Sequence, residues 1–99
     1  MTRPDAEAEL KRLREAIDRV DEVLVKLLNQ RARYAVEIGE LKGLLALPVY
    51  SPEREKDVLQ HVEETSAGPL ENAAIRRLFE RIIDESRRVE RESAHASAQ

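Results

Sequence analysis

The sequence predicts an all-α fold, one very long helix followed by two shorter ones, and three observations carry that prediction. Between Pro4 and Pro48 the chain runs 43 residues without a proline. Over that stretch two columns spaced by seven are almost wholly apolar: Leu10, Ile17, Leu24, Arg31, Ile38, Leu45 in one, and Leu13, Val20, Leu27, Tyr34, Leu41 in the other. The composition agrees, since 37% charged residues, three glycines, two tyrosines and one phenylalanine in 99 residues suit helices better than a sheet.

Each element has its own warrant. The heptad columns predict a first helix over residues 6–46, about 60 Å long at 1.5 Å per residue, with Gly39 and Gly43 loosening its last turns and Pro48 stopping it. Ser51 followed by Pro52 reads as an N-cap and a first helical residue. It opens a second helix over 52–64 with Val58, Leu59 and Val62 inside. Thr65 to Pro69 break the chain before a third helix over 71–93, whose inner face includes Ile75, Leu78, Phe79, Ile82 and Ile83. Residues 94–99 read as a disordered tail, which leaves a single domain over 1–93.

The roughly 50 residues after the first helix cannot cover an apolar stripe that long, so a homodimer is expected. Without cysteine there are no disulfides or thiolate metal sites, and His61 and His95 have no ligand-like spacing; no metal is expected. The N-terminus lacks an apolar signal core and no stretch approaches 18 apolar residues, which predicts a soluble, cytoplasmic protein off the membrane. A formal charge of -3 with interspersed signs offers no broad basic face for nucleic acid.

Arg31 interrupts an apolar column, and a guanidinium costs several kcal/mol to bury without an anion. Helical cations ordinarily pair three or four positions away, yet Arg31 is flanked there by Leu27, Leu28, Tyr34 and Ala35, and Lys42 by Ile38, Gly39, Leu45 and Ala46. The two lie 11 residues apart, on nearly one face and about 16 Å along the axis, so both can reach one small dianion. Arginine suits a bidentate carboxylate contact and lysine a point charge on one oxygen. Arg14 is about 25 Å from Arg31 along the helix. To join that site it must come from a second copy with the long helices antiparallel.

Taken singly, these residues have local explanations. Arg14 has Asp18 at i+4 and Arg54 has Asp57 at i+3. Lys42 suits the helix C-terminus, Ser86 suits packing, and Glu90 has Arg87 one turn away.

Jointly, Leu13-Arg14-Glu15-Ala16-Ile17-Asp18, Leu27-Leu28-Asn29-Gln30-Arg31 and Ile38-Gly39-Glu40-Leu41-Lys42 resemble the all-helical chorismate mutase family. Pro52-Glu53-Arg54-Glu55 and Leu78-Phe79 through Ile82-Ile83 to Ser86 continue the likeness, over roughly residues 10 to 92. The resemblance implies an intertwined antiparallel helical dimer that rearranges chorismate to prephenate without a cofactor. It also implies site roles. Arg31 and the partner copy's Arg14 would bind the two carboxylates, Lys42 the ether oxygen, Arg54 the carboxylate end and Glu55 the ring hydroxyl, with Ser86 lining the pocket. Ser51 stands where many relatives place an aspartate near the substrate. Glu90 stands where well-known bacterial members carry glutamine, and it can donate to the ether oxygen only when protonated.

Tyr50-x-Pro52-x-Arg54-Glu55 and Gly68-Pro69 further resemble mutase domains fused to deoxy-arabino-heptulosonate phosphate synthase, which makes that synthase an expected fusion or partner. Two rival functions accompany the mutase. An isochorismate pyruvate lyase shares the fold and a cationic pocket, and a non-catalytic dimerisation or regulatory module explains the heptads alone.

Overall fold

The computed structural model describes residues 1–98 and contains three helices, α1 (Arg3–Leu45), α2 (Pro52–Thr65) and α3 (Asn72–Ala98). It divides into two compact units, Met1–Arg31 and Ala32–Gln99. No helix among the described residues is long and apolar enough to cross a membrane.

The first unit is the N-terminal part of α1. The helix begins three residues earlier than the heptads predict because Thr2 and Asp5 form a reciprocal cap. The Asp5 amide donates to Thr2 Oγ1 at 3.2 Å and the Thr2 amide donates to Asp5 Oδ2 at 3.2 Å. Pro4 is tolerated because it sits in the first turn, where amides have no helical acceptor. The hydrogen bonds from Thr2 hold the Asp5 carboxyl below its ordinary range. No residue of this unit is buried, and Leu10, Leu13, Ile17, Val20, Leu24 and Leu27 each expose between 46% and 58% of their surface.

The second unit packs the last part of α1, α2 and α3 together. Its buried apolar residues are Ala35 on α1, Leu59 on α2, and Ile83 and Ala94 on α3. Val58 and Val62 flank Leu59 half-buried, as expected, and Ile75, Phe79 and Ile82 do the same around Ile83. Leu78, expected inside, is 55% exposed instead. It lies five residues from Ile83, and five residues turn a helix well past one full revolution.

Gly39 and Gly43 do not loosen α1; they are where α3 touches it. A Cβ on Gly39 would lie 2.5 Å from the Glu90 carbonyl oxygen and 2.8 Å from Ser93 Cβ, and one on Gly43 would lie 2.5 Å from the Ala94 carbonyl oxygen. Two glycines one turn apart let the helix backbones meet with no side chain between them. Ser93 Oγ donates to the Val36 carbonyl at 2.7 Å and fastens the same crossing. This contact carries α3 on to Ala98 rather than fraying near Ser93, because Ala94 is buried against α1. Of the tail expected to be disordered, residues 94–98 are helical and Gln99 lies outside the described residues.

The end of α1 has its own stop signal ahead of Pro48. Ala46 takes φ +53, the Leu47 amide donates to the Lys42 carbonyl at 2.9 Å and the Ala46 amide reaches Gly43 O at 3.4 Å. This pattern satisfies the last carbonyls and turns the chain away. Ser51 is the extended N-cap of α2 with Pro52 in its first turn, although the Ser51 side chain makes no capping bond. The Ser51 carbonyl accepts the Glu55 amide at 3.0 Å.

Candidate functional site

Lys42 lies beside the glycine crossing, and its ammonium turns toward α3. Lys42 Nζ donates to Glu90 Oε1 at 2.7 Å and to the Val49 carbonyl at 2.8 Å. The side chains of Lys42 and Glu90 keep 20% and 16% of their surface, so the pair is neither solvated nor sealed. An ammonium carries three donors, and two are directed by the protein. The Val49 carbonyl belongs to the α1–α2 connection, so the Schellman turn at Ala46 is what brings this acceptor within reach of Lys42.

A second charged pair joins α2 to α3. Arg87 Nε donates to Glu55 Oε2 at 3.0 Å and Nη2 donates to Glu55 Oε1 at 2.6 Å, the parallel two-bond geometry at which arginine excels. The guanidinium carbon also lies 5.0 Å from the centre of the Tyr50 ring, within cation–π range. Hydrogen bonding to Glu55 is the main reason the Arg87 guanidinium is raised above its ordinary value, with smaller contributions from the charges of Glu55, Asp84 and Tyr50.

The structure therefore brings Lys42 to Glu90, and places Glu55 in the first turn of α2 on a clasp with Arg87. Glu90 pairs across the crossing with Lys42, not with its helical neighbour Arg87. Ser86 is half-buried and Ser51 half-buried, while Arg54 is exposed. Arg14 and Arg31 belong to the first unit, where Arg14 is exposed and Arg31 half-buried. Sequence reasoning missed Tyr50, the Val49 carbonyl and the true partner of Arg87. The sequence carried no signal for the pairing of Arg87, whose nearest acids lie on its own helix while its partner Glu55 lies on α2.

Among the described residues no cluster of three or more His, Asp or Glu side chains could hold a metal ion. What the two pairs offer instead is fixed charge: two oriented cations and two oriented carboxylates.

The family model for chorismate mutase type II matches residues 13–91. A bifunctional chorismate mutase/prephenate dehydratase of Neisseria gonorrhoeae is 46% identical over 78 residues, which are 79% of this chain and 21% of that protein. The protein of the same name from Aquifex aeolicus is 39% identical over 79 residues, 76% of this chain and 22% of its own length. The chain thus spans about a fifth of these relatives. Among solved structures, a chorismate mutase from Thermus thermophilus superposes with a TM-score of 0.81 at 36% identity, covering 83% of this chain and 93% of that one.

Proposed function

The chain belongs to the chorismate mutase type II family, and from that premise we propose that it is an isomerase that rearranges chorismate to prephenate, with Lys42 and Glu90 at the reacting oxygen. In this reaction the bond from the ether oxygen to the ring breaks while the enolpyruvyl methylene forms a new bond to the ring. Negative charge grows on the ether oxygen as it does so, and a fixed cation there favours the transition state over the ground state. The observation that carries the proposal is the half-buried Lys42–Glu90 pair at 2.7 Å inside the matched span. Glu90 assists as an acid: protonated, it donates to the same oxygen, and ionised, it would repel a dianion.

The remaining roles follow from sequence correspondence. Arg31 and the partner copy's Arg14 hold the two carboxylates and so select the folded conformer that reacts. Arg54 supports the carboxylate end, Glu55 accepts from the ring hydroxyl, and Ser51 and Ser86 line the pocket. The homodimer this requires is favoured by the half-exposed apolar side chains at the heptad positions of the first unit, since covering each contributes about 1 kcal/mol. A deoxy-arabino-heptulosonate phosphate synthase partner rests on the likeness of Tyr50-x-Pro52-x-Arg54-Glu55 and Gly68-Pro69, whereas the relatives named above join their mutase to prephenate dehydratase. A cytoplasmic location suits a biosynthetic enzyme of this kind.

The test is product identity. Chorismate incubated with the purified chain should disappear and yield prephenate. Pyruvate released from isochorismate, with chorismate untouched, would identify a lyase, and inertness toward both would leave a dimerisation module.

A further inference from the structure

Glu55 poses an electrostatic problem. A carboxylate offered to the ring hydroxyl of a dianion also repels that dianion, and a glutamate in the first turn of a helix has several rotamers to choose from. The structure answers both difficulties with one side chain. Arg87 reaches from α3 and binds both oxygens of Glu55, at 2.6 and 3.0 Å. The two side chains keep 25% and 24% of their surface, so water screens the pair only in part. A second contact fixes Arg87 itself, since its guanidinium stacks 5.0 Å from the centre of Tyr50. Asp84 lies at 3.4 Å from Nη1, a long contact with an exposed carboxylate that does not compete with Glu55. A carboxylate has about four acceptor positions and Arg87 takes two, which leaves Glu55 free to accept a hydroxyl.

We propose that Arg87 is a positioning residue for this reaction: its two hydrogen bonds orient Glu55 for the substrate's ring hydroxyl and cancel the charge that would otherwise repel the dianion. The inference rests on the mutase reading above. With Arg87 on Glu55, the carboxylate that must accept from the ring hydroxyl carries its own cation.

A double-mutant cycle on the full chain separates this role from a structural one. Arg87→Met should lower kcat/KM on chorismate about 10- to 50-fold, mostly through KM, because repulsion acts on binding. Arg87→Lys, which keeps the charge but loses the fork, should fall between wild type and Arg87→Met. In a Glu55→Gln background there is no charge left to cancel, so adding Arg87→Met should cost less than about threefold. Circular dichroism of each variant reports whether the helices persist. An equal loss from Arg87→Met in both backgrounds, or no loss in either, overturns the positioning role while leaving the mutase intact. A wild-type chain inert toward chorismate overturns both.

Discussion

Replacing Gly39 by alanine puts two effects in opposition, and the distances decide which wins. Alanine stabilises a helix interior relative to glycine by about 1 kcal/mol. The added methyl, however, would lie 2.5 Å from the Glu90 carbonyl oxygen and 2.9 Å from Glu90 Cα. Backbone atoms cannot swing aside as a side-chain tip can, so α3 must retreat by about 0.9 Å to restore ordinary contact. Overpacking of this kind costs about 1–3 kcal/mol, more than the propensity gain. The melting temperature should therefore fall by about 5 °C, at 4–8 °C per kcal/mol for a domain of this size. The functional effect should be larger than the structural one. The retreat is centred on Glu90, whose carboxylate now sits 2.7 Å from Lys42. A displacement of about 1 Å in a preorganised site costs on the order of 100-fold in rate. Thermal melts by circular dichroism and initial rates of chorismate consumption measure both quantities. A Gly39→Ala variant as stable as wild type and with kcat within twofold would refute the close-crossing account.

Other perturbations divide the roles further. Lys42→Met leaves Glu90 partly buried beside an apolar chain. It should cost about 1–2 kcal/mol of stability, after allowance for partial exposure, and nearly all activity, as read from melts and rates on one preparation. Glu90→Gln supplies an amide donor to the ether oxygen and should hold kcat/KM on chorismate near or above the wild-type value; a loss as large as that from Lys42→Met would remove Glu90 as a hydrogen-bond donor. Ile17→Glu, at a position 58% exposed in the single chain, should be harmless to a monomer. In the proposed homodimer it buries a charge, and sedimentation should report dissociation with loss of activity.

Much of this architecture was legible because helices announce themselves locally. The proline-free run and its heptads located α1, Ser51-Pro52 located the start of α2, and the face around Ile83 located α3. The heptad columns themselves proved exposed, with Tyr34 and Leu41 each at 57%. The face that α1 turns to α3 is the Ala35, Gly39 and Gly43 side, which hydrophobic periodicity overlooks because glycine has no side chain to count. Lys42 was singled out for lacking any partner on its own helix, and its partner does lie on another, 48 residues away. The converse failed for Arg87. A neighbour one turn away looked sufficient for Glu90, but a partly buried two-bond contact between helices prevails over an exposed helical pair. The Lys42–Glu90 pairing depends on the crossing of α1 and α3, where Gly39 and Gly43 let the two backbones meet.

The central claim, a rearrangement site shared between two copies of the chain, is tested most directly by subunit complementation. Arg14→Ala and Lys42→Met should each be inactive alone. Unfolded together in equal amounts and refolded, half of the dimers should be mixed, and each mixed dimer should hold one site with both Arg14 and Lys42 intact. Conversion of chorismate to prephenate should then return to about a quarter of the wild-type rate. A mixture as inactive as its components would contradict the shared site.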